Sequence, residues 1–270
     1  MVPGDNISVK TRLITALVAL PIIIFLVQLG SWAFFAVVTA IGLMAAWEFG
    51  QIMTGKGHNP VTIFLGGFAL IPIAHFYWAG QPIFVPALMA LIMLLLVWEL
   101  FQTTAIAQPL DWALTVAGGL YIGLGLGHLI GLRQLPQGHI WVWLALLCTW
   151  GADSFAYFGG RAWGKRPFWP RWSPKKTWEG IIAGLFGGMT GGLLVVLIFE
   201  FSVVHALING LLVAAVGPLG DLSISMLKRY AGVKDSSQLI PGHGGFLDRI
   251  DSILFSTVVV FYYAVWLAGA

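Results

Sequence analysis

An all-α, polytopic integral membrane protein of about nine transmembrane helices, with a cytoplasmic N-terminus, is the fold class this sequence predicts, on three observations. Hydrophobic residues make up 59% of the 270 residues and charged ones only 9%, giving a mean hydropathy of +0.89. Apolar runs of roughly twenty residues recur along the chain, the length an α-helix needs to cross a ~30 Å hydrocarbon core at 1.5 Å per residue. Lys and Arg, finally, fall almost wholly on one side once those runs are numbered.

The first run, residues 13–29, follows Lys10 and Arg12 as a signal peptide's apolar core would. It is longer than such a core and another run follows almost at once, so it reads as a retained helix. Further spans are expected at residues 32–53, 61–78, 82–101, 112–132, 139–158, 180–199, 203–222 and 252–267. With the N-terminus in the cytoplasm, thirteen basic residues face that side: Lys10, Arg12, Lys56, the six from Arg161 to Lys176, Lys228, Arg229, Lys234 and Arg249. Arg133 alone faces the other. Trp32, Trp78, Trp112 and Trp141 stand at expected span ends, where indole rings anchor in the interface. Glu48 and Glu99, near cytoplasmic span ends, read as interfacial.

No repeat of fixed period is found, which disfavours a transporter built from duplicated halves. Residues 1–138 read as N-terminal transmembrane helices and residues 139–270 as a transmembrane catalytic region. Of the 25 charged residues, eight lie in 153–179 and eight in 221–251, and both segments fall on the cytoplasmic side. A net charge of only +3 suits orientation and phosphate handling, so no nucleic acid is expected. The single Cys148 excludes an internal disulfide, and no Cys/His spacing suggests zinc or haem.

Gly217, Pro218 and Gly220 are expected to interrupt the eighth span near its cytoplasmic end and open a cavity there. Beyond them Asp221, Ser225 and Lys228 fall within about 60° on one helix face at 100° per residue. The run Pro241-Gly242-His243-Gly244-Gly245 makes a turn whose glycines allow close backbone approach to a ligand. Asp248 and Asp251 then open the ninth helix at i,i+3 spacing, with Arg249 between them. Asp153 lies within the sixth span, where an unpaired carboxylate is costly, and is expected to face the cavity. Carboxylates interleaved with Lys and Arg suit a Mg²⁺-phosphate site, since hard oxygens hold Mg²⁺ while cations neutralise the remaining phosphate charge.

The pattern S-x-x-K-R-x4-K-D, then P-x-H-G-G, then D-R-x-D resembles the signature of the phosphatidate cytidylyltransferase, or CDP-diacylglycerol synthase, family. It is filled by Ser225, Lys228, Arg229, Lys234, Asp235, Pro241, His243, Gly244, Gly245, Asp248, Arg249 and Asp251. Upstream, ADSFAYFGGRAWGK and SPKKTWEG resemble the family's companion motifs. The resemblance implies that a phosphatidate phosphate attacks the α-phosphorus of CTP, giving CDP-diacylglycerol and pyrophosphate. It implies a homodimer as well, and Mg²⁺ at one or two cation positions. The expected location is a bacterial inner membrane, with the site facing the cytoplasm.

On this resemblance Asp221, Lys228 and Asp248 are expected to be catalytic, with Asp221 and Asp248 as metal ligands. Asp251 either completes the shell or orients Arg249. Ser225, Lys228 and Arg229 are expected on phosphate oxygens, Arg229 having the alternative of reaching lipid headgroups. Lys234 and Asp235 make either a loop ion pair or a substrate contact, and His243 either binds phosphate or stabilises its turn. Lys175 and Lys176 sit at the mouth of the seventh helix, capped by Ser173 or Thr177, where the helix N-terminus favours phosphate. Alternatively, with Trp163, Trp169, Trp172 and Trp178, they form a basic loop on membrane headgroups. Two other classes stay open: a transporter, told by uptake without CTP turnover, and another membrane phosphotransferase, told by release of CMP. The D-G-x2-A-R motif of CDP-alcohol enzymes is absent.

Overall fold

The computed structural model describes residues 9–102, 109–242 and 244–270. Among them are nine α-helices, at the positions of the nine expected spans: α1 Val9–Leu29, α2 Ser31–Thr54, α3 Thr62–Tyr77, α4 Phe84–Leu100, α5 Pro109–Gln134, α6 Gly138–Trp163, α7 Trp178–Phe199, α8 Val203–Tyr230 and α9 Leu247–Tyr263. Five of these regions, in α2, α5, α7, α8 and from α9 to Ala268, are long and apolar enough to cross a membrane, whereas α3, α4 and the Leu17–Leu29 part of α1 are shorter apolar helices. Large apolar side chains such as Phe25, Leu94, Phe101, Leu197 and Trp266 lie exposed on the outside, as lipid-facing residues do.

One expectation needs correction. The eighth helix is unbroken from Val203 to Tyr230 with Pro218 inside it. Its glycines serve packing instead: a Cβ on Gly220 would strike the backbone carbonyl of Asp251. Small residues thus bring α8 close to α9 without breaking either helix. The fold is all-α apart from one short hairpin, in which β1 Pro167–Trp169 and β2 Ser173–Thr177 pair antiparallel, Pro167 opposite Thr177 and Trp169 opposite Ser173. Pro167, Pro170 and Pro174 in this stretch each remove a helical N–H, which favours extended backbone.

Thr177 ends that hairpin and caps α7, its hydroxyl accepting from Gly180 N at 3.2 Å. Helix α7 then lies between α6 and α8. A Cβ on Gly187 would strike the Gly151 carbonyl of α6, and one on Gly188 the Gly210 carbonyl of α8. Close backbone contact of this kind supplies dispersion energy where no hydrophobic drive exists between helices in lipid.

The N-terminal helices join this group through α5. Its Gly123 abuts Ala69 of α3, and its Gly125 abuts Leu254 of α9. The Thr257 hydroxyl of α9 donates to Gly125 O at 2.9 Å, and Thr149 of α6 donates to Ser256 of α9 at 2.8 Å. Helix α9 is therefore held from both halves of the chain. At the far end of α1 the Arg133 guanidinium donates to Val27 O at 2.8 Å and Gln28 O at 3.2 Å, satisfying carbonyls that the helix end leaves open.

Candidate active site

The close approach of α8 and α9 sets Asp221 and Lys228 of one helix against Asp248, Arg249 and Asp251 of the other. Helix α8 supplies Asp221 and Lys228, α9 supplies Asp248, Arg249, Asp251 and Ser252, α6 supplies Asp153, and the α8–α9 loop supplies Asp235 to one cavity of about 240 Å³. The expected face of α8 is present, with Ser225 Oγ donating to Asp221 Oδ1 at 3.0 Å one turn earlier. The expected i,i+3 pair on α9 is present too, and the carboxylate of Asp153 reaches the cavity from α6.

Each charge in the cavity has a distinct set of partners. Asp221 Oδ2 pairs with Lys176 Nζ at 2.7 Å, and that ammonium also donates to Pro218 O at 3.3 Å. Lys176 thereby crosses from β2 to the side of α8. Lys228 is buried, 8% exposed, and its ammonium pairs with Asp248 Oδ1. Asp248 Oδ2 accepts from Ser236 N at 2.8 Å, Ser236 Oγ at 2.9 Å and Gly245 N at 3.1 Å. Together with Lys228, these groups surround the Asp248 carboxylate. Asp251, by contrast, accepts only from Ser252 N at 2.7 Å, and no hydrogen bond holds Asp153 among the described residues.

Five carboxylates against two cations line the cavity. With Lys228 engaged by Asp248, the remaining charged lining is net acidic, which favours a bound cation. Among the described residues no three His, Cys, Asp or Glu groups stand close enough to hold a metal by themselves. A cation here would share its shell with water or substrate phosphate, as Mg²⁺ characteristically does. Hard carboxylate oxygens are the donor type that Mg²⁺ takes.

Several expected residues lie elsewhere. Arg229 is exposed and donates to Val233 O at 3.2 Å, away from the cavity. Lys234 and Lys175 are exposed and do not line it, whereas Asp235 does. Gly244, with φ +79°, has backbone that an L side chain rarely adopts, and a Cβ on Gly245 would strike Ser236 Oγ. His243 lies outside the described residues.

Glu48 overturns its reading as an interfacial residue. It is 0% exposed, and its carboxylate accepts from Ser236 Oγ, Ser237 Oγ, Phe246 N and Leu247 N at 2.6–2.9 Å. An ionisable side chain inside an apolar helix was its visible signal, but its partners lie some two hundred residues away.

The chain matches the model of the cytidylyltransferase family over residues 10–267. It is 37% identical to a phosphatidate cytidylyltransferase of Pseudomonas aeruginosa, over 96% of this chain and 98% of the relative. It is 32% identical to one of Bacillus subtilis, over 92% and 95%. A third, from a Synechocystis strain, is 33% identical over 95% and 96%.

Proposed function

The chain belongs to the cytidylyltransferase family, and on that premise we propose that it is an integral membrane nucleotidyltransferase that joins CTP and phosphatidate into CDP-diacylglycerol. A phosphate oxygen of the lipid attacks the α-phosphorus of CTP, the bond to the β-phosphate oxygen breaks, and pyrophosphate leaves. The observation that carries this reading is one cavity in which Asp221, Lys228, Asp235, Asp248, Arg249 and Asp251 meet Asp153 of α6. Both substrates are anionic, and their mutual repulsion must be offset before an in-line displacement can occur.

The residues divide that task. Asp221 and Asp248 would hold Mg²⁺ together with water and substrate phosphate, and the ion when bound neutralises phosphate charge and makes the α-phosphorus more electrophilic. Lys228 occupies on Asp248 the place of a cation, and it turns to a phosphate oxygen when the site fills. Arg249, with no side-chain hydrogen bond among the described residues, is free to take phosphate directly. Lys176 orients Asp221 and stands ready at the mouth of α7. An already ionised phosphate nucleophile needs no general base.

Nine crossings with a cytoplasmic N-terminus put this cavity where CTP is. In support, Thr15 near the start of α1 donates to Pro241 O at 3.2 Å, so the N-terminal end and the active-site loop share one end of the bundle. Lys56 lies over the Tyr230 ring at that same end, and Arg133 sits at the opposite one, on the C-terminus of α1.

The deciding assay uses purified protein, CTP labelled in the α-phosphate, Mg²⁺ and candidate lipids. Labelled CDP-lipid with equimolar pyrophosphate is expected with phosphatidate. Release of CMP, or phosphatidate-independent turnover, would remove the proposal.

A further inference from the structure

We propose that Glu48 of α2 is a positioning residue that fixes the Asp248–Lys228 pair from the N-terminal half of the chain, an inference that rests on the reaction proposed above. Helix α9 makes no side-chain cap of its own at Phe246. Glu48 supplies the cap from another helix, Oε1 accepting from Phe246 N at 2.9 Å and Oε2 from Leu247 N at 2.7 Å. A carboxylate at a helix N-terminus satisfies open N–H groups and complements the helix dipole. Asp248 is the next residue, so the same grip sets where its carboxylate points.

The second link runs through the loop. Glu48 accepts from Ser237 Oγ at 2.6 Å and from Ser236 Oγ at 2.9 Å, and Ser236 Oγ also lies 2.9 Å from Asp248 Oδ2. A hydroxyl has one proton to donate, so Ser236 serves one carboxylate at a time while its amide stays on Asp248. Glu48 thereby draws the loop and the first turn of α9 together around Asp248. No water reaches this carboxylate, which is 0% exposed, so losing a partner there is not made good by solvent.

This role differs from simple support of the fold. A carboxylate that only stabilised the bundle would affect the amount of folded protein, whereas one that aims Asp248 affects turnover per folded molecule. Glu48→Gln keeps the size of the side chain but turns an NH₂ group toward the N–H and O–H donors.

The test compares full-length parent, Glu48→Gln, Ser236→Ala and the double variant in detergent. Expected for Glu48→Gln is an unchanged elution profile, a kcat at least tenfold lower and a CTP KM within threefold of the parent. The double variant should be no more than twofold slower than the slower single, because both act through Asp248. A kcat within twofold of the parent, or fully multiplicative losses, would overturn the inference. If Glu48→Gln does not fold, the Ser236→Ala/Ser237→Ala variant decides, a tenfold kcat loss supporting the role and full activity overturning it. If the parent itself is inactive, the reaction fails separately, and amide exchange then decides. Faster exchange in 236–247 alone in Glu48→Gln supports the positioning, and unchanged exchange there refutes it.

Discussion

Lys176 Nζ lies 2.7 Å from Asp221 Oδ2, joining the hairpin strand β2 to the cavity face of α8. This ion pair draws one of two adjacent lysines into the site and leaves the other outside, because neighbouring strand residues point to opposite faces. Lys176→Met should therefore lower kcat at least tenfold at any ionic strength. Lys175→Met should weaken apparent phosphatidate affinity by about 1 kcal/mol, an effect that shrinks as salt rises. Steady-state kinetics on mixed micelles at two salt concentrations separate them, and equal salt-sensitive behaviour would return both lysines to the membrane surface.

Asp221→Asn and Asp248→Asn should each cost at least a hundredfold in kcat, roughly 2.7 kcal/mol of transition-state stabilisation. Both proteins should still elute as folded species. Asp248→Asn also strips Lys228 of its partner, so its loss should not be recovered by raising Mg²⁺. Near-normal turnover of either variant at low Mg²⁺ would dismiss that residue as a ligand.

Lys228→Met removes a buried ammonium that pairs with Asp248 and, on the proposed reaction, would turn to the reacting phosphates. A fall in kcat of a hundredfold or more is expected, with a smaller change in CTP KM, since the charge matters most where negative charge builds up. An active Lys228→Met enzyme would refute the assignment.

Gly220→Ala places a methyl group against the Asp251 carbonyl. Overpacking of this kind costs about 1–3 kcal/mol, and it should act by moving α8 away from α9. A lowered detergent melting temperature together with reduced kcat is the expected pair of results. A fully active, fully stable variant would show that the helices can yield without disturbing the cavity.

Orientation is open to cysteine labelling in a Cys148→Ser background. Lys175 and Lys234 are exposed, and cysteines there should react only from the cytoplasmic side. A cysteine at exposed Gln81, whose loop lies near Tyr77 and the Gln134 end of α5, should react only from outside. Any reversal overturns the nine-crossing arrangement.

Helix positions, the membrane class and the shared face of Asp221, Ser225 and Lys228 on α8 were legible in the sequence because they are local. Run length reports span length, and a 100° step reports which residues share a face. The α8–α9 motif likewise announced its chemistry through residue types at short spacing. Contacts between distant segments carried no such mark. Gly217, Pro218 and Gly220 look like a helix break when read alone, yet tertiary packing uses Gly220 for close approach to α9 and keeps α8 whole. Arg229 and Lys175 match the motif or stand beside it, but the direction of a side chain depends on how its element is seated, and both point away from the cavity. Glu48 is the sharpest case, since its donor Ser236 lies 188 residues along the chain. An apolar helix with one carboxylate states only that a partner must exist. Which partner, and hence that α2 holds the first turn of α9 in place, was decided by the folded arrangement that brings the two together.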